Sequence, residues 1–138
     1  MNRRRGQLLL VTALIAACAA NAADTAGHLP STRDELLAFL AKAIKQARST
    51  PPGFEEAKPG PTPELKPLIG VSGDQLRFAL GDPDLCSVSK EGHCASAGQW
   101  AYILDPVVPG MRGGGSRELS LQFDSAGSCK SAKWRGGR

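Results

Sequence analysis

Aromatic side chains are scarce in this sequence: two Trp, one Tyr and four Phe in 138 residues. So few rings cannot build a broad platform for stacking bases. Histidine is scarcer, with His28 and His93 alone, which leaves no His-rich metal site. An excess of one charge is missing as well. The formal net charge is +4, but Arg3, Arg4 and Arg5 stand together ahead of an apolar run, and of the 17 basic residues the other 14 face 13 acidic ones. A body so near neutrality lacks the concentrated basic field that nucleic-acid binders use, so no nucleic-acid partner is expected. The first long apolar run, residues 8–17, is interrupted only by Thr12. It is still well short of the roughly 20 residues needed to cross a bilayer as a helix.

Catalytic and cofactor motifs are missing too. Gly113-Gly114-Gly115 has no Lys-Ser/Thr after it and lies between two expected strands, so it is no phosphate loop. There is no Gly-x-Ser-x-Gly elbow, and a Ser-His-Asp triad would have to recruit His28 or His93. Asp82 and Asp84 flank Pro83, a pattern that reads as turn and cap chemistry rather than as a pair of catalytic acids. Cys86, His93 and Cys94 offer metal-ligand types without finger spacing. The expectation is a protein that is not an enzyme and takes no cofactor, metal or small-molecule substrate.

What is present begins with an address. Positive charge at residues 1–5, the apolar run at 8–17 and small residues after it follow the plan of a secretory signal. Two ends are open. Ala20-Asn21-Ala22 is an A-x-A site, giving a signal over 1–22 and a mature start at Ala23; Ile15-Ala16-Ala17-Cys18 resembles a lipobox, giving a signal over 1–17 with Cys18 as the lipid attachment residue. Acyl chains on Cys18 would anchor the protein to a membrane by burying methylenes. The periplasmic face of the outer membrane is the expected location in that case, and the periplasm otherwise. Either start leaves Cys86, Cys94 and Cys129 in an oxidising compartment. Cys86 and Cys94 enclose a short polar loop and are the first choice for a disulfide. Cys94 with Cys129 and Cys86 with Cys129 stay open, because spacing does not fix connectivity.

After a lead over 23–31, Thr32 and Glu35 form a capping box for an amphipathic helix at 32–49, with Leu36, Leu40, Ala43, Ile44 and Ala47 on one stripe. That stripe is expected to pack on the protein's own sheet. Residues 50–67 hold six of the ten prolines and read as an extended connector with room to let the helix sit apart. A second helix starts at the Ser72/Gln75 capping box, with Val71 and Leu76 at the staple positions. It stops at Gly81 and Pro83. Strands are expected at 99–104, 117–123 and 128–135. A tight turn ends on a left-handed Gly127, and a bulge is needed before Cys129 and Ala132 can share a face. The long loop at 105–116 carries Val107, Val108 and Met111, the first candidates for partner contact. Glu118, Ser120 and Gln122, on the polar sheet face, come next. The basic residues of 130–138 could touch anionic lipid.

The string Leu68-Ile69-Gly70-Val71-Ser72-Gly73-Asp74-Gln75-Leu76, then Leu80-Gly81-Asp82-Pro83, Trp100-Ala101-Tyr102 and the apolar strand from Leu119 to Gly127 resembles the SmpA/OmlA family, the BamE-type outer-membrane lipoproteins. The resemblance covers residues 65–134. It implies an α+β, two-layer domain over 68–135, with helices on a three-stranded antiparallel sheet (ααβββ, like the β-lactamase-inhibitor protein). It also implies an exported, non-catalytic envelope protein that supports outer-membrane protein assembly or envelope integrity by binding a protein partner in the cell envelope. The alternative is a soluble periplasmic binding or inhibitor module on the same fold. The family's helices are close in sequence, and its pattern includes neither these cysteines nor the 105–116 loop.

Overall fold

Leu36, Leu40, Ile44 and Ala47 recur every three or four residues, and all four are buried on one side of helix α1, Arg33–Ser49. The capping box at its start is formed: the Glu35 N–H donates to Thr32 Oγ1 at 3.3 Å, and the Thr32 N–H donates back to Glu35 Oε2 at 3.2 Å. The Ser31 N–H adds a second donor at 2.9 Å. Acid at the beginning and Arg48 at the end suit the helix dipole. The computed structural model describes residues 27–49, 61–104 and 117–136.

A single turn of 3-10 helix, Lys66–Leu68, leads into helix α2, Gly73–Leu80. Ser72 and Gln75 make the reciprocal capping box. Gly81 is the C-cap, with φ 81° and its N–H on the Arg77 carbonyl, a positive φ that glycine adopts without strain. Val71 and Leu76 both belong to the core.

Among the described residues six strands follow: β1 Leu85–Cys86, β2 Ser89–Lys90, β3 His93–Cys94, β4 Gln99–Ile103, β5 Glu118–Phe123 and β6 Cys129–Arg135. The architecture is α+β. The main sheet is antiparallel with the order β1-β4-β5-β6, and β2-β3 form a separate hairpin. The expected meander is therefore widened from three strands to four. Strand β1 has only two residues, too few to show an alternating pattern, and tertiary bonds make it a strand. The Asp84 N–H donates to the Ala101 carbonyl and the Ile103 N–H to Asp84 Oδ2.

Register explains the layers. Trp100 pairs with Leu121 and Leu121 with Ala132; Tyr102 pairs with Leu119 and Leu119 with Trp134. These residues share the face turned to the helices, because alternate strand positions point the same way. The register slips between Gln122 and Phe123: Gln122 faces Ser131 while Phe123 faces Cys129, leaving Lys130 as the extra residue. This is the expected bulge, and it brings Cys129 onto the inner face with Ala132. Asp124 Oδ1 accepts the N–H groups of Ala126 and Ser128, each at 2.9 Å, and Gly127 takes φ 78° to close the turn.

One core joins these layers. It includes Leu36, Leu40 and Ile44 from α1, Leu76 and Leu80 from α2, and Trp100, Tyr102, Leu119, Leu121 and Phe123 from the sheet. Helix α1 therefore does not stand apart. Each such side chain contributes roughly 1.5–3 kcal/mol on burial, more than the open space beyond a connector could offer the stripe. The last part of the Pro-rich stretch is docked too, with Pro63 and Leu65 buried.

Candidate functional site

Cys18, Val107, Val108 and Met111 lie outside the described residues. Cys86 and Cys94 are joined in a disulfide with their Cα atoms 5.7 Å apart, which closes the two alternatives through Cys129. Cys129 is a free, buried thiol. Burial pushes its pKa up, so it stays protonated at neutral pH and is a poor nucleophile. Of the polar sheet residues, Gln122 is exposed and Glu118 half-buried. Ser120 is buried, and its hydroxyl accepts from Gln99 Nε2 at 2.8 Å, so a partner cannot reach it first.

Asp82 and Asp84 serve the turn after α2. Arg77 Nε lies 3.0 Å from Asp82 Oδ1, and Arg48 Nη2 lies 3.2 Å from Asp84 Oδ1 and 2.5 Å from the Asp82 carbonyl. Arg48 thus ties the end of α1 to the end of α2. The buried Tyr102 hydroxyl donates to the Gly81 carbonyl at 2.8 Å in the same joint, and burial raises its pKa. Among the described residues, no group of three or more His, Cys, Asp or Glu side chains could hold a metal ion.

One flank of α2 is shut by the hairpin region. Arg77 Nη2 donates to the Cys94 carbonyl, and the guanidinium lies 5.0 Å above the Trp100 ring. Trp100 Nε1 donates to the Ala95 carbonyl at 2.7 Å. A side chain at Gly73 would strike Ser96, whose Cα stands 3.2 Å from where the Cβ would be. The flank towards α1 is a groove of about 460 Å³, lined by the buried Ile44 and Leu80 and the exposed Lys45 and Arg48.

The outward side of α2 carries Phe78, 95% exposed. The neighbouring Leu76 and Leu80 are 0% and 5% exposed, so Phe78 stands off the apolar stripe with its ring in water. Family models, curated proteins and solved structures were all compared with the chain, and none matches. The chemistry of a function must therefore be read from the surface itself. Phe78 is the residue that sequence reasoning missed. Its signal was available: it is a large apolar side chain at the one position of an eight-residue helix opposite Leu76 and Leu80.

Proposed function

We propose that this protein is a non-catalytic, exported envelope component of the BamE type that acts by docking on a protein of the outer-membrane assembly machinery. Phe78 carries the docking part of the reading. A ring held 95% exposed on a capped helix is the kind of aromatic anchor around which interface energy concentrates. The cystine between Cys86 and Cys94 supports export, since such bonds persist in oxidising compartments. The motif residues support the family. Ser72 and Gln75 cap α2, Gly81 stops it, and Trp100, Tyr102, Leu119 and Leu121 fill the core against it, which is the work an ααβββ unit asks of them. On this reading Cys18 is acylated and holds the protein at the periplasmic face of the outer membrane.

The test is co-purification from envelope membranes with the outer-membrane assembly machinery, joined to the intact mass of the mature chain. Recovery with that machinery, lost in Phe78→Ser, is the expected result. A soluble, partnerless protein starting unmodified at Ala23 would overturn it in favour of a periplasmic binding module.

A further inference from the structure

The edge of the sheet at β6 holds a feature that the docking reading does not use. Residues 61–65 lead past Trp134 into the 3-10 turn: Pro63 is buried, as is Leu65 where the backbone turns (φ −95°, ψ 0°), while Thr62 and Glu64 are exposed. Thr62 precedes a proline and is thereby kept extended. Two side chains from the sheet grip this segment by its proline carbonyls. Trp134 Nε1 donates to the Pro63 carbonyl at 3.0 Å, and Arg117 Nη1 donates to the Pro61 carbonyl at 3.3 Å. The Arg117 guanidinium lies 5.2 Å above the Trp134 ring, so each donor holds the other in place.

This is the chemistry by which proteins read proline-rich strands. An extended proline segment makes no internal hydrogen bonds, so its carbonyls are open to outside donors. Its fixed φ means that little freedom is lost on docking against an aromatic wall. We infer that the notch between Arg117 and Trp134 is a recognition site for proline-containing segments of the pattern Pro-x-Pro followed by a turn at Leu, and that residues 61–65 are the ligand it carries at rest. A partner's segment of the same pattern competes for the notch. The competition starts at the Pro61 end, which is exposed, and works inward to the buried Pro63 and Leu65. The inference is independent of whether Phe78 docks on an assembly machine.

The test uses the full chain, isotope-labelled, and an acetylated, amidated peptide Gly-Pro-Thr-Pro-Glu-Leu-Lys, with alanine in place of both prolines as control. The indole N–H signal of Trp134 is expected to move saturably with the proline peptide while that of Trp100 stays. Resident occupancy weakens the apparent affinity by the fraction of molecules with an open notch. Pro61→Ala, which loosens the resident segment at an exposed position, is therefore expected to tighten peptide binding by about threefold or more. Trp134→Phe removes the donor and its signal together, so this variant is read from the backbone N–H signals of Thr62 and Glu64, which should move with the peptide in the wild type and not in the variant. Arg117→Lys, which cannot reproduce the stacked fork, replaces it if that variant does not fold, and is expected to weaken binding. No movement of Trp134 in either the wild-type or the Pro61→Ala chain overturns the inference, as does an equal response to the alanine peptide.

Discussion

Trp100 shows how much one side chain can organise. Its ring is fully buried, meets Phe123 edge-on with centroids 4.5 Å apart, lies under Arg77, and donates its N–H to the Ala95 carbonyl. Trp100→Ala is expected to cost about 3–5 kcal/mol, the range for emptying a buried aromatic site, read as a shift of the urea midpoint at constant m-value. A cost under about 1 kcal/mol would place the ring outside the core. Phe78 is the opposite case, an equally apolar ring without burial. Phe78→Ser should leave the unfolding free energy within about 0.5 kcal/mol of wild type while weakening partner binding. A large loss of stability would show that the ring packs on its own protein. At this scale the sequence was half legible. Trp100 fell on an alternating pattern that marks the buried face of a strand. The place of Phe78 off the stripe was written in the same letters but shows only when exposed positions are read as closely as buried ones.

The caps are where local sequence decides most. In α2 each end of Ser72-Gly-Asp-Gln75 satisfies the other's backbone donor: Ser72 Oγ accepts the Gln75 N–H, and Gln75 Oε1 accepts the Ser72 N–H, both at 3.2 Å. A helix of eight residues is marginal alone, so Ser72→Ala should cost about 1 kcal/mol, visible in a chemical denaturation curve. In α1, N–H groups of Ser31 and Thr32 hold the Glu35 carboxylate below its ordinary pKa. A lowered folded-state pKa means stabilisation that is present above the ordinary value and lost as pH falls through the folded one. Amide protection over the first turn of α1 is therefore expected to fall as pH is taken down past about 4.5. Glu35→Gln should remove that dependence; an unchanged pH profile in the variant would count against the carboxylate. Both capping boxes were legible because they depend on residues three apart. Strand β1 was not, since Leu85 and Cys86 become a strand only through bonds to β4 residues that lie well beyond them in sequence. The docking of Pro63 on Trp134, 71 residues away, was hidden for the same reason.

For the fold as a whole, two of the described cysteines, Cys86 and Cys94, fasten a surface hairpin, and Cys129 sits in the common core. The disulfide spans eight positions, and closing so short a loop contributes at most about 3 kcal/mol by the chain-entropy account. The core residues of α1, α2, β4, β5 and β6 lie outside that loop. The double variant Cys86→Ser, Cys94→Ser is therefore expected to fold, with a melting temperature lowered by no more than that loss implies. Cys129 supplies the readout. Its backbone is pinned on both sides, the N–H to the Val71 carbonyl at 2.8 Å and the carbonyl to the Gly70 N–H at 2.7 Å. Its thiol lies within the common core, 1% exposed, so reaching it requires opening that core. Labelling of Cys129 by a thiol reagent should therefore follow global unfolding in the wild type, and in the double variant should speed up only by the factor that the lost stability predicts. Its raised pKa adds a sign that can be checked. A buried thiol that resists ionising favours the unfolded chain once pH rises past about 9, the ordinary thiol value, so stability should fall on the alkaline side and Cys129→Ala should blunt that fall. Rapid labelling of Cys129 in the folded protein at neutral pH would mean that the helices and sheet do not share one closed core.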